Sequence, residues 1–183
     1  KTMKEAGCRE ISIGFESANN ETLKIIGKGE TIETIQKTLF MCKEIGIQTR
    51  VTLIFGLPGE DEEKLLNTLS FLETCRPNQI QLYSLAAYDG TMLFGEREKF
   101  GIKIIYQNPQ KWSRNVLDPM CETKQLSRKD ITRIANIYIK RLKRIGYIHF
   151  DSTCSKIKNN LEYVVYTGFC PVQSIPDARE NYV

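Results

Sequence analysis

Residues 43–60 decide the fold, and they read KEIGIQTRVTLIFGLPGE. Lys43–Gly46 has the form of a helix end with a glycine stop, and the stretch from Thr49 to Gly56 has the character of a strand. The same phrase begins 39 residues earlier, where residues 4–7 read KEAG and residues 10–16 read EISIGFE. The repeat predicts two units in which a helix ends at a glycine and a strand follows.

Two helices connect these strands to each other and to a third strand. Thr31 is a good cap for a helix whose apolar residues step by three or four up to Ile45. The acidic run at residues 60–63 suits the positive end of the next helix, which ends before Pro77. A third strand follows at residues 79–84. This order predicts parallel strands joined by right-handed crossovers, as in a TIM-type barrel or a doubly wound sheet.

The alternation within the strands favours one of these two architectures. Val51, Leu53 and Phe55 lie on one face of the second strand, whereas Arg50 and Thr52 lie on the other. Parallel strands buried on both faces are apolar throughout, and a closed eight-stranded barrel fills its interior with branched aliphatic side chains. We therefore expect an α/β fold, a fragment of a partial TIM-type (β/α) barrel whose lumen stays open for a ligand.

We predict three segments along the chain. Residues 1–100 form the C-terminal half of the barrel, residues 101–126 form an irregular connection, and residues 127–183 form a C-terminal helix with a small appended segment. Ser127 starts that helix with the spacing of a capping box, and the apolar stripe runs to about Ile145. The sequence does not place the residues from 148 onward.

Composition excludes several classes of protein. The 183 residues are 41% hydrophobic, which is enough for one ordinary core. The net charge of +4 comes from basic residues spread among 22 acidic ones, so there is no cationic stripe and nucleic acid is not a favoured partner. No apolar run approaches the roughly 20 residues that cross a bilayer. We expect a cytoplasmic protein without a membrane span.

Six cysteines are spread along the chain, at positions 8, 42, 75, 121, 154 and 170. Zinc and iron-sulfur sites need cysteines two to four residues apart, so we predict no metal ligand in this chain. In a cytoplasmic protein, buried free thiols are expected rather than a disulfide framework.

Candidate binding residues stand at the carboxyl ends of the predicted strands, where barrel enzymes place their chemistry. Glu16 and Ser17 end the first strand, and Lys28 follows beyond a short helix. A carboxylate accepts hydrogen bonds from ribose hydroxyls or an ammonium group, and a lysine binds a carboxylate. The glycines of residues 56–60 let the backbone approach a ligand closely. Each feature taken singly is typical of a surface group or a tight turn.

In combination, five phrases in the same order resemble the second half of radical S-adenosylmethionine (SAM) domains. They are residues 6–17, 23–29, 43–47, 55–60 and 90–93, and they lie within the run from Glu5 to Gly95. The resemblance is strongest to the group that includes cobalamin-binding members and the anaerobic magnesium-protoporphyrin monomethyl ester cyclases, which are oxidative cyclases.

The resemblance implies a six-stranded partial barrel that binds SAM across its open top. A 4Fe-4S cluster held by three closely spaced cysteines then cleaves SAM to a 5′-deoxyadenosyl radical. Glu16 and Ser17 are implied to contact the ribose or methionine part of SAM, and Lys28 to face the methionine carboxylate. The other implied cofactor-binding residues are Arg50 and Thr52 on the lumen face, Gly56, Leu57 and Pro58 near the adenine, and Ser84 at the end of the third strand. No catalytic residue is assigned.

One part of the family pattern is missing, namely the CxxxCxxC loop and the first strands. The order within the family puts them before Lys1, so we expect a fragment of a longer enzyme that is inactive alone and lacks the N-terminal half of its own barrel. The cofactors implied are SAM and a 4Fe-4S cluster, with cobalamin as a further candidate. The implied substrate is a small molecule, for which a tetrapyrrole is the candidate.

Two other functional classes remain open on the sequence. A two-electron TIM-barrel enzyme needs a general acid and base or a phosphate-binding glycine loop, and neither is evident here. A non-catalytic binding domain derived from a barrel needs only the fold.

Overall fold

Five parallel strands form the main sheet of the computed structural model, which describes residues 1–106, 114–151 and 164–167. The strands are β1 Glu10–Glu16, β2 Gln48–Phe55, β3 Gln79–Ser84, β6 Ile148–Asp151 and β7 Val164–Thr167, in the spatial order β1-β2-β3-β7-β6. The helices are α1 Thr2–Glu5, α2 Asn20–Ile25, α3 Ile32–Glu44, α4 Glu62–Cys75, α5 Met92–Gly95 and α6 Arg128–Arg144. A separate antiparallel pair joins β4 Lys103–Ile104 to β5 Cys121–Glu122. The predicted α/β class is confirmed.

Side-chain caps start the three long helices. Thr31 before α3 and Asp61 before α4 each accept a hydrogen bond from an amide of the first helical turn. Ser127 and Asp130 form the two reciprocal bonds of a capping box at the start of α6. These caps satisfy amides that have no partner within the helix, and they confirm the starts predicted at Thr31 and Ser127. Among the helices of the described ranges, none has the length and apolar character needed to cross a bilayer.

The apolar face of the sheet packs against α3, α4 and α6. In β2 this face consists of Val51, Leu53 and Phe55, which are all buried. The helices contribute a set of buried apolar side chains to the same core, namely Ile35, Leu39, Leu65, Leu69, Leu72, Ile134 and Tyr138. The predicted direction of the apolar face, toward the helices that carry Leu39, Leu65 and Leu69, is confirmed.

The polar face of the first three strands points away from this helical layer. Arg50 and Thr52 are half-buried, and in the parallel register Thr52 lies beside Gly14 of β1 and Gln81 of β3. The predicted adjacency and parallel direction of the three strands are confirmed. Among the described strands β1 pairs with β2 alone, so β1 forms an edge of the sheet, as predicted.

Two strands that the sequence did not place extend the sheet beyond β3. The strand β7 pairs in parallel with β3, and β6 pairs in parallel with β7. Val165 of β7 is fully buried in the main core. Residues 148–151 and 164–167 therefore belong to the same sheet as β1 to β3. Cys154 and Cys170 lie outside the described residues.

Candidate functional site

A cavity of about 370 Å³ opens at the carboxyl ends of β1, β2 and β3. Its lining includes Glu16, Lys28, Leu57, Tyr83, Ser84 and Arg114. Parallel β/α folds bind ligands at this end because strand ends and loop backbone groups converge there. The cavity brings together four of the predicted cofactor-binding residues, namely Glu16, Lys28, Leu57 and Ser84.

Glu16 and Lys28 form an ion pair in this cavity, with 3.5 Å between Glu16 Oε1 and Lys28 Nζ. The backbone of Glu16 has a φ of 61°, and the pairing of β1 with β2 shifts register between Gly14 and Glu16. Such a φ is uncommon for a residue with a side chain and is often found at functional sites. A Cβ at Gly14 would lie 2.8 Å from both charged atoms. The missing side chain of Gly14 therefore leaves the space that the ion pair occupies.

The ion pair is only partly shielded from solvent. The side chains of Lys28 and Glu16 are 26% and 16% exposed. Burial raises the pKa of the Glu16 carboxyl above its ordinary value, and the positive charge of Lys28 opposes that rise. A ligand that carries both an ammonium and a carboxylate can replace this ion pair, because its ammonium can pair with Glu16 and its carboxylate can pair with Lys28.

A buried carboxyl group, Glu60, ties the loop after β1 to the turn after β2. The Ser17 hydroxyl donates to Glu60 Oε1 over 2.8 Å, and the amides of Gly56 and Leu57 each donate to Glu60 Oε2 over 3.2 Å. Glu60 is 0% exposed, and burial raises its pKa to about 8 in spite of these three donors. Because the side chain does not reach the cavity, the raised pKa reports burial and does not identify a general acid.

This network determines what the predicted residues of the two loops present to a ligand. The buried Ser17 hydroxyl points at Glu60, so a direct contact of Ser17 with SAM stays a prediction that this arrangement does not favour. The Gly56 and Leu57 amides are occupied by Glu60, whereas the Leu57 side chain lines the cavity and Pro58 is buried beside it. Sequence reasoning missed Glu60 as a site residue, although an acidic residue directly after a glycine turn was a usable signal.

Arg50 lies nearer the amino ends of the strands, and Thr52 lies in the middle of β2. Arg50 Nη2 lies 2.9 Å from Glu10 Oε1, and Arg50 Nε donates to Gln79 Oε1 over 2.8 Å. Gln79 Nε2 donates in turn to Glu10 Oε2 over 2.7 Å, which closes a ring of contacts across three strands. The cavity at the other end of the strands is not lined by Arg50 or by Thr52, so their proposed contact with a ligand stays a prediction.

At the end of β3, the predicted residue Ser84 contacts Arg114 and Asn115, which the sequence did not single out. Ser84 is buried, its hydroxyl donates to the Asn115 carbonyl over 3.2 Å, and its amide donates to the Arg114 carbonyl over 2.9 Å. The Arg114 guanidinium lies over the Tyr83 ring, 5.1 Å from the ring centroid. No local pattern could have identified Arg114, because its position depends on the pairing of residues about 30 apart in the chain.

The described cysteines are Cys8, Cys42, Cys75 and Cys121, and all four are free thiols. Burial raises the pKa of the last three thiols, which disfavours the thiolate that metals bind. Within residues 1–106, 114–151 and 164–167, no three His, Cys, Asp or Glu side chains are grouped so that they could hold a metal ion. The described part of the chain therefore does not fit a 4Fe-4S cluster.

Three comparisons place the chain among known proteins. The model of the radical SAM superfamily matches residues 1–72. A curated relative from Pyrococcus horikoshii, described as an uncharacterized methyltransferase, is 28% identical over 134 residues, which are 73% of this chain and 28% of that protein. The tRNA uridine(34) acetyltransferase of Methanocaldococcus jannaschii is 24% identical over 200 aligned residues, covering 98% of this chain and 36% of that protein.

Among solved structures, coproporphyrinogen III oxidase (HemN) of Escherichia coli, a radical SAM enzyme, superposes with a TM-score of 0.60. The superposition covers 91% of this chain and 38% of that one, at 18% sequence identity, and so it concerns the fold alone. This chain spans between about a quarter and two fifths of the length of the three proteins compared.

The parallel β/α units, with a cavity at the strand ends, define a protein of the partial-barrel α/β class. Residues 1–72 match the radical SAM superfamily, so this part of the chain is similar to that superfamily.

Proposed function

We propose that the chain contributes the SAM- and substrate-binding half of the barrel of a radical SAM enzyme. The Glu16–Lys28 ion pair in the cavity carries this proposal. The methionine part of SAM has an ammonium and a carboxylate on one carbon atom, which is the charge pair that a carboxylate and a lysine side by side complement. Lys28 binds the methionine carboxylate, and Glu16 accepts hydrogen bonds from the ammonium or from the ribose hydroxyls.

Apolar side chains from β2, from the turn after β2 and from the residue after β3 supply a wall for the adenine ring. Ile54, Leu57 and Leu85 line the same cavity as the ion pair. Glu60 holds the backbone of this turn through two amides, and the same carboxyl group holds Ser17, the neighbour of Glu16. One buried side chain therefore links the neighbour of Glu16 to the turn that carries Leu57.

The 4Fe-4S cluster of such an enzyme supplies the electron that cleaves SAM. Its ligands are proposed to lie outside the described residues, because the four described cysteines are dispersed and form no metal-binding group with other side chains there. The role of this chain's own residues is to bind and orient SAM and to exclude water from one side of it.

Narrower features of the whole protein are proposed from the sequence resemblance alone. They are an oxidative-cyclase-like reaction, the use of cobalamin, and a small-molecule substrate of the tetrapyrrole class. A cytoplasmic location is likewise proposed from the sequence alone.

The test is SAM affinity in the intact protein that contains this chain, measured anaerobically by calorimetry. Glu16→Gln and Lys28→Met are each expected to weaken SAM binding by about 1 to 3 kcal/mol, the usual scale for a hydrogen bond to a charged group. The control is Lys99→Met, which breaks the exposed Lys99–Glu96 ion pair outside the cavity and should leave the affinity unchanged. Unaltered affinity in both cavity variants would remove the proposal.

A further inference from the structure

We infer that Arg114, stacked on Tyr83 at the mouth of the cavity, recognises an anionic group of the substrate, so that the substrate class is a carboxylate- or phosphate-bearing small molecule. The inference rests on the proposed function, because it assumes that Glu16 and Lys28 are engaged by SAM. It assigns to Arg114 a role separate from the binding of SAM.

The backbone of Arg114 is fixed to the carboxyl end of β3. The Arg114 carbonyl accepts the Ser84 amide over 2.9 Å, and the Asn115 carbonyl accepts the Ser84 hydroxyl over 3.2 Å. Asn115 also forms an antiparallel bridge with Tyr83, and Val116 is fully buried in the main core. These contacts hold the start of the Arg114 side chain at one place beside the cavity.

The side chain is oriented by the aromatic ring beneath it. The centre of the guanidinium lies 5.1 Å from the centroid of the Tyr83 ring, and both residues line the cavity. An arginine in such a contact uses the face of its guanidinium, whereas the N–H groups that bind carboxylate or phosphate lie in the guanidinium plane. Stacking therefore restricts the rotamers of Arg114 and lowers the entropy lost when an anion binds.

The charge balance of the cavity also favours an anion. Among the residues that the structure describes, the charged lining residues are Lys28 and Arg114, which are positive, and Glu16, which is negative. SAM itself carries a sulfonium and an ammonium against one carboxylate, so the cavity with SAM bound has an excess of positive charge. Opposite charge on the substrate lowers this excess, and it does so at the exposed side of the cavity, where Arg114 lies.

The experiment uses the intact protein with SAM bound and three probes that share a 2-naphthyl ring: 2-naphthoate, 2-naphthyl phosphate and the neutral 2-naphthamide. Fluorescence titration is expected to show tighter binding of at least one anion than of the amide. Arg114→Met should weaken the binding of the preferred anion by about tenfold or more, which is the effect of losing a charge-assisted hydrogen bond. The same substitution should leave the affinity for the amide unchanged. Arg114→Lys keeps the charge but loses the planar fork, so its affinity for the preferred anion should lie between those of the wild-type protein and Arg114→Met.

Arg97→Met is the matched control, since Arg97 also stacks on a ring, that of Phe94 at 4.9 Å, and is not among the residues that line the cavity. Whichever anion binds better identifies the carboxylate or the phosphate as the recognised group. Equal affinity of all three probes for the wild-type protein, or an unchanged anion preference in Arg114→Met, overturns the inference. A loss of SAM affinity in Arg114→Met without a change in anion binding also overturns it, because Arg114 would then belong to the SAM site. Failure of the Glu16 and Lys28 variants to alter SAM binding instead removes the proposed function.

Discussion

At the scale of single residues, the environment of Glu60 disfavours the charged carboxylate because the side chain has no exposed surface. Three donors from two loops reach its oxygens, yet burial still raises its pKa from 4.5 to about 8. Its charged and titratable neighbours are Lys64 of α4 and the buried Tyr138 of α6. A protonated Glu60 meets the same partners, since its carbonyl oxygen accepts the two amides and its hydroxyl group bonds to Ser17. Below about pH 8, the residue therefore connects the two loops in its neutral form.

This environment predicts a pH dependence of stability. The unfolded chain ionises Glu60 near its ordinary pKa of 4.5, whereas the folded chain keeps the proton up to about pH 8. The stability that protonated Glu60 contributes is therefore complete below pH 4.5 and is lost as the pH rises to 8, at up to about 1.4 kcal/mol per pH unit. Glu60→Gln keeps the acceptor and a donor but cannot ionise, so the free energy of unfolding should lose this slope.

Urea unfolding between pH 5 and pH 8 measures the effect. The control is Glu63→Gln, the same chemical change at an exposed position of α4, which should keep the slope of the wild-type protein. Parallel pH profiles of the wild-type protein and Glu60→Gln would contradict the account of Glu60.

At the scale of elements, the strands differ in how far their sequence predicts their place. The alternation in β2 and the caps of α3 and α6 are local, and they predicted direction, neighbours and buried face correctly. The strands β6 and β7 have four residues each, too few for a pattern, and β7 pairs with a strand about 85 residues earlier in the chain. Their position depends on tertiary contacts of Val165 and its neighbours.

The place of β7 is testable by a pair of truncations in the two strands. Val165 is 0% exposed in the main core, whereas Ile148 of β6 is 46% exposed. Val165→Ala should lower the free energy of unfolding by about 1 to 3 kcal/mol, since it removes two buried methyl groups and leaves a cavity. Ile148→Ala should change it by less than about 0.5 kcal/mol. Chemical denaturation measures the free energy of unfolding of both variants. Equally small losses for Val165→Ala and Ile148→Ala would mean that β7 does not pack in the core.

At the scale of the whole molecule, the chain combines a cavity at the strand ends with cysteines that are widely spaced in the sequence. We expect the isolated 183-residue chain, reconstituted anaerobically with iron and sulfide, to hold no stable 4Fe-4S cluster, because six cysteines spaced this widely do not form the usual ligand loop. Absorbance near 400 nm and iron content after desalting measure the outcome. The intact protein is the positive control, and a cluster that survives desalting in the isolated chain would contradict the prediction.

The sequence by itself determined the parallel order of β1, β2 and β3, the starts of α3 and α6, and the position of Glu16 at the carboxyl end of β1. These features follow from local periodicity, from caps, and from the rule that the carboxyl ends of parallel strands lie at one edge. Only the tertiary structure decided that Glu60 joins Ser17 to the turn after β2, that Arg50 is held by Glu10 and Gln79, and that Arg114 lies on Tyr83. Such contacts depend on strand register and side-chain rotamers across distant segments, which local patterns do not encode.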